Sequence, residues 1–133
     1  MINIKIKIPN LPKFQKALRK WPQLAEKELK NAFKKSLYQI IRETKPITPI
    51  DLGRLRSSIG EQGGEGIFEI KKTLAVVGTK VNYAVDVHEG FQRHKTGQRE
   101  FLKVGVEKAM SKIKEFSNEA INNIFNKIAK ESK

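Results

Sequence analysis

The sequence contains no cysteine among its 133 residues, which excludes a disulfide framework, a thiolate nucleophile and a cysteine-based zinc site. No apolar run approaches the roughly 20 residues that a membrane-spanning helix needs. The N-terminus alternates isoleucine and lysine instead of placing a charged region before an apolar block, so we expect no signal peptide. The missing cysteines say little about compartment, but the lack of a membrane span and of a signal peptide predicts a protein that is made and used in a cytoplasm, or carried in a particle assembled there.

Acidic residues are also scarce: the sequence contains 14 acidic and 27 basic residues, which gives a net charge of +13. Residues 1–60 hold fourteen basic and four acidic residues, whereas residues 61–100 hold six of each. This balance suits nucleic acid, an anionic membrane or an acidic partner protein. However, 21 of the cations are lysines with few aromatic residues between them, a pattern that also occurs where lysine only promotes solubility. The array of Arg, Asn and Gln that base-specific readout would use is not found.

The length favours one domain that is large enough to bury a core. Isoleucines alternate with polar residues over 2–8, which predicts a strand that ends at Pro9. Residues 10–45 carry a helical apolar stripe, and we expect a break at Trp21-Pro22. Proline costs about 3 kcal/mol inside a helix but is well tolerated in a first turn. At this break, Trp21 is predicted to anchor the core.

A corner is predicted at residues 46–60, where prolines stop the incoming helix and Asp51 can cap a new turn. Its apolar anchors, at spacings of three and four, are Leu52, Leu55 and Ile59. The side chains expected to point away from this apolar face are Arg54, Arg56, Ser57 and Ser58. We expect loss of the Arg56 side chain to cost the isolated domain little stability. The competing interpretation is a surface turn with solvated arginines.

The rest of the chain predicts a sheet, a loop and a helix. Residues 66–90 read as a small sheet with strands near 67–70, 74–77 and 83–88. Residues 91–100 are polar and basic, and we expect a mobile loop. Residues 101–130 form an amphipathic helical stripe that includes Met110 and Phe125. The predicted fold class is α+β, a single domain with a small, mainly antiparallel sheet packed against two long helices.

No catalytic, cofactor or metal site is predicted. Asp86 and His88 would share a face of a strand, with Glu89 and His94 nearby, but a third metal ligand at good spacing is missing. The serines at 57 and 58 have no apparent histidine base and no strand-turn-helix nucleophile elbow.

Four short segments follow one another in a specific order. Residues 49–59 read Pro-Ile-Asp-Leu-Gly-Arg-Leu-Arg-Ser-Ser-Ile, and residues 77–84 read Val-Gly-Thr-Lys-Val-Asn-Tyr-Ala. Residues 87–90 read Val-His-Glu-Gly, and residues 98–102 read Gln-Arg-Glu-Phe-Leu before the last helix. This set resembles the lambdoid-phage neck and tail-completion family, the minor tail components of tailed phages and prophages. The resemblance covers residues 11 to about 115.

The resemblance implies a non-enzymatic structural protein of the virion, assembled in the bacterial host cytoplasm. It would act at the head–tail joint as one copy in a ring, in contact with other connector or tail proteins. The residues expected at its assembly interfaces are Arg54, Arg56, Tyr83, Glu89, Gly90, Arg93, Lys95 and Arg99. Nucleic acid is compatible with this role but not required by it, and no membrane is expected. The alternative is a small basic nucleic-acid-binding protein.

Overall fold

The computed structural model describes residues 2–48, 53–71, 73–81, 84 and 101–131. Within them the elements are β1 (Ile2–Ile6), α1 (Leu11–Lys20), α2 (Pro22–Thr44), a 3-10 turn (Lys45–Ile47), α3 (Gly53–Ser58), β2 (Gly66–Ile70), β3 (Ala75–Thr79) and α4 (Phe101–Glu131). A small antiparallel sheet and two long helices that pack on each other confirm the predicted α+β class.

The break between α1 and α2 lies at the predicted position. Asn10 precedes α1 with a left-handed backbone, φ 65°, and its carbonyl accepts the amide of Lys13 at 3.0 Å. The backbone of Trp21, at φ −135° and ψ 68°, cannot continue a helix. Pro22 then opens α2, where its fixed φ suits a first turn and its missing N–H leaves no bond unmade.

The sheet has the strand order β1-β3-β2. Val77 at its centre pairs with Ile4 on one side and Phe68 on the other, and all five residues of β3 are buried. Of the strand predicted near 83–88, only Ala84 is among the described residues. It has helical geometry, with its amide bonded to the Val81 carbonyl at 3.1 Å, so this part of the strand prediction is wrong. The N-terminal strand pairs with β3 instead.

The main core lies between the two long helices and one face of the sheet. The contact between α2 and α4 is the most extensive in the described chain. Apolar residues at spacings of three and four along both helices fill it, as predicted: Ala25, Leu29, Ala32, Phe33, Leu37 and Ile40 from α2, and Ala109, Ile113, Ala120, Ile121 and Ile124 from α4. Ser117, also buried in α4, donates its hydroxyl to the Pro9 carbonyl at 2.6 Å. This bond ties the helix to the turn between β1 and α1.

Three predicted core residues are exposed instead. Trp21 is 36% exposed, Met110 39% and Phe125 53%. In α4, Met110 and Phe125 each directly follow a buried residue, Ala109 and Ile124. Successive helical residues are about 100° apart, and at these two positions that rotation turns the second side chain away from the core. Trp21 lies at the break between α1 and α2, where the backbone leaves helical geometry. Its side chain therefore does not lie on the buried face of either helix. The predicted core anchor is therefore a partly exposed aromatic side chain.

Candidate functional site

A second, smaller apolar cluster lies at the corner. Leu55 of α3 and Ile59 are each 1% exposed, which confirms two of the three predicted anchors. We call the cluster that they join the corner cluster; its buried members are Leu55, Ile59, Val81, Ala84, Phe101 and Leu102. It contains residues from three segments that are far apart in sequence. Each of these residues lies in one of the motif segments described above, at 49–59, 77–84 or 98–102. The third anchor, Leu52, and the proposed Asp51 cap lie outside the described residues.

Two buried hydroxyl groups join α3 to the central strand. Ser58 Oγ lies 2.5 Å from Thr79 Oγ1 and donates to the Leu55 carbonyl at 2.8 Å. The amide of Val81 donates to Thr79 Oγ1 at 3.1 Å. Because a hydroxyl has one hydrogen to donate, and that of Ser58 goes to Leu55, Thr79 is the donor between the two side chains. The result is a relay of three hydrogen bonds from the backbone after β3 to the backbone of α3.

The prediction that Ser58 points away from the apolar face is wrong, since this residue is 1% exposed. Sequence reasoning also missed the role of Thr79. The only signal was that both hydroxyl residues lie inside the two longest motif segments, at 49–59 and 77–84. Both residues are buried together with their apolar neighbours, and a buried hydroxyl group needs a hydrogen-bond partner.

The backbone adds two bonds at the same junction. The Gly60 amide donates to the Gly78 carbonyl at 2.9 Å, and the Lys80 amide donates to the Glu65 carbonyl at 2.6 Å. Gly60 has φ +69°, and a Cβ there would overlap the end of the Ile41 side chain. Glycine is therefore favoured at this position by its backbone angle, and a larger residue would also have to displace the end of the Ile41 side chain.

Arg54 is exposed, as predicted, and forms a bidentate ion pair with Glu65. Its Nε lies 2.8 Å from Oε1 and 3.0 Å from Oε2, and its Nη2 also binds Oε2. The hydrogen bond from this guanidinium holds the pKa of the Glu65 carboxyl below its usual range; desolvation opposes this shift, and the positive charge of Arg54 adds to it. The pair connects α3 to the residue before β2, so Arg54 has an intramolecular role that the sequence did not reveal.

Arg56 is half-buried and is not simply presented to solvent. Its Nη2 donates to two backbone carbonyls, of Thr48 at 2.7 Å and of Pro46 at 3.0 Å. These carbonyls belong to the turn that follows α2. In this turn the Thr48 amide donates to the carbonyls of Thr44 and Lys45. The guanidinium therefore fastens α3 to the end of the preceding helix.

Outside the described residues lie the other predicted interface residues, Tyr83, Glu89, Gly90, Arg93, Lys95 and Arg99, with the predicted mobile loop 91–100 and the Asp86/His88 pair considered for a metal. In the part of the chain that the structure describes, no three His, Asp or Glu side chains come close enough to hold a metal ion. Within those same ranges, no helix is both long and apolar enough for a membrane span.

Comparison with known proteins gave no match, whether the chain was compared with protein-family models, with curated proteins or with solved structures. A function for this chain must therefore be argued from the order of its motifs and from the contacts that the motifs make.

Proposed function

We propose that this protein is a structural virion-assembly protein of the neck or tail-completion type, acting at the head–tail joint of a tailed phage as one copy in a ring. The observation that carries the proposal is the corner cluster. The corner, the segment around the third strand and the start of the last helix are separated from one another by at least 16 residues along the chain. All three converge on one small apolar cluster, and the first two are also joined by the hydroxyl relay. The motif segments are therefore held together as one structural unit at the corner.

The corner cluster also fixes the chain on both sides of the segment that holds most of the predicted interface. Six of the eight predicted interface residues lie between Val81 and Phe101. Both of these flanking residues are fully buried in the cluster, at 0% exposure. A segment attached at two fixed points can make contacts to a neighbouring copy without disturbing the main core. This arrangement supports an assembly role for the six predicted interface residues between these two anchors.

Ring formation would use a substantial share of the molecular surface. A standard interface buries about 800 Å² per partner, and the whole chain exposes 8067 Å². Two neighbours in a ring would together cover about a fifth of that surface. We therefore expect concentration-dependent self-association of the purified protein, measurable by sedimentation velocity over a hundred-fold concentration range.

The direct test uses a phage or inducible prophage that carries this gene. A nonsense codon in the gene should leave DNA-filled or fillable heads that fail to join tails, as counted by electron microscopy of lysates. Complementation from a plasmid with the wild-type gene should restore joined, infectious particles. Arg93→Ala should restore them poorly, whereas Arg42→Ala, an exposed arginine of α2 outside the motifs, should restore them fully. Normal numbers of joined particles without the protein would refute the proposal.

The alternative function, binding of nucleic acid, is favoured by the net charge of +13 and its concentration in residues 1–60. It predicts a different outcome in the same genetic test. Loss of DNA replication or transcription, with no virion parts made, would favour it. In a titration with random duplex DNA, binding driven by phosphates should weaken steeply between two salt concentrations.

A further inference from the structure

An open groove of about 350 Å³ lies between α1 and the C-terminal half of α4, and none of its lining residues belongs to the corner cluster. It is lined by Lys13, Lys16, Ala17, Lys20, Trp21 and Phe125. The two aromatic side chains are exposed, by 36% and 53%. Large apolar groups that remain this accessible on a folded domain are candidates for contact with a ligand.

The charged side of the groove comes from a single helix face. The three lysines of α1 lie at spacings of three and four, so they form one row along the helix. Lys20 Nζ lies 5.8 Å from the centroid of the Trp21 ring, within the range of a cation–π contact. No acidic side chain is among the described residues that line the groove. An anionic ligand is therefore favoured.

We propose that this groove binds single-stranded nucleic acid, with bases stacked on Trp21 and Phe125 and phosphates held by Lys13, Lys16 and Lys20. A row of cations beside exposed aromatic rings is the combination that sequence-independent single-strand binding uses. An acidic peptide would use the lysines but would gain little from the ring faces. Duplex DNA would also leave the rings unused, because its bases are already stacked. This proposal does not depend on the head–tail role, because it rests on different residues.

Trp21 is the only tryptophan of the chain, so intrinsic fluorescence reports directly on the groove. Titration with a 20-nucleotide oligothymidylate should quench this fluorescence through stacking. If three phosphates are neutralised, the plot of log K against log salt should have a slope of about −2, since each contact on a single strand contributes about −0.7. The same sequence annealed to its complement should quench much less.

Two substitutions separate stacking from charge, with affinity measured by the anisotropy of the labelled oligothymidylate. Phe125→Leu keeps an apolar side chain but removes the ring, and it should weaken binding about five-fold or more. Lys16→Gln should reduce the magnitude of the salt slope by about 0.7. The control, Lys108→Gln, makes the same charge change on α4, 17 residues from Phe125 and therefore about 25 Å along the helix. It should leave the slope unchanged.

Circular dichroism of each variant establishes that it is folded, which is expected because all the substituted side chains are exposed. The proposal is overturned if the duplex binds as tightly as the single strand, or if Lys108→Gln and Lys16→Gln have equal effects. It is also overturned if Phe125→Leu binds like the wild type. A polyglutamate peptide or phosphatidylserine vesicles that quench Trp21 more strongly than oligothymidylate would likewise assign the groove to another class of ligand.

Discussion

Gly105 of α4 packs directly against Thr44, the last residue of α2. A Cβ atom on Gly105 would overlap Thr44 Oγ1 and would lie 2.9 Å from Thr44 Cβ and 3.1 Å from Thr44 Cα. Both residues are buried. The two long helices therefore meet near the end of α2 and the start of α4 at a position where α4 has no side chain.

This contact predicts that Gly105→Ala is destabilising. In a helix interior, glycine to alanine normally stabilises by roughly 0.5–1 kcal/mol. Here the added methyl group must displace backbone or side-chain atoms of α2, and overpacking of this kind costs about 1–3 kcal/mol. Urea unfolding followed by circular dichroism measures the change. In a Thr44→Ala background the overlap with Oγ1 is gone, so the same substitution should cost less. An equal cost in both backgrounds would show that Thr44 is not the obstacle.

The hydroxyl relay predicts different effects for two adjacent serines. Ser58→Ala leaves the buried Thr79 hydroxyl without its acceptor, which should cost about 1–3 kcal/mol of unfolding free energy. Ser57→Ala is the matched control, because Ser57 is exposed, and it should change stability little. Combined with Thr79→Val, Ser58→Ala should cost less than the sum of the two single changes. Strict additivity would mean that the two hydroxyl groups do not act on each other.

The corner predicts that an anchor and an arginine both contribute to stability. Leu55→Ala should cost about 2–5 kcal/mol, the usual range for a buried leucine. Arg56→Ala removes two charge-assisted bonds to the Pro46 and Thr48 carbonyls and should cost about 1–3 kcal/mol. This expectation replaces the prediction from sequence that the change is nearly neutral. The exposed Arg42→Ala should shift the unfolding midpoint much less, and an equal shift would remove the structural role assigned to Arg56.

The ion pair of Arg54 predicts an acid-sensitive contribution from Glu65. Because the folded-state pKa of this carboxyl is lowered, its contribution is present above the unfolded pKa and is lost as pH falls through the folded pKa. Carboxyl NMR titration should show Glu65 titrating below its usual range in the wild type. Arg54→Gln should raise the pKa of Glu65, and Arg19→Gln should leave it unchanged. Both partners are substantially exposed, so added salt should reduce the shift. No change in the Arg54→Gln titration would contradict the pairing.

The sequence determined the elements whose cause is local. Alternating isoleucines predicted the first strand, although it ends at Ile6, two residues before the alternation does. Pro22 predicted the helix break, because a proline's missing amide and fixed φ act on its own turn. The spacing of Leu55 and Ile59 predicted two anchors of the corner. Patterns of this kind depend only on neighbours within a few residues, and a single sequence displays them directly.

The tertiary structure alone decided which of two adjacent apolar residues faces a partner helix, as with Ile124 and Phe125. It also decided the contacts between residues far apart in sequence. Ser58 and Thr79 are 21 positions apart, and Gly105 and Thr44 are 61 positions apart. Periodicity identifies an apolar face of an element but carries no information about what that face packs against. The hydroxyl relay, the role of Arg56 and the open lysine–aromatic groove follow only once the two long helices and the sheet are packed together.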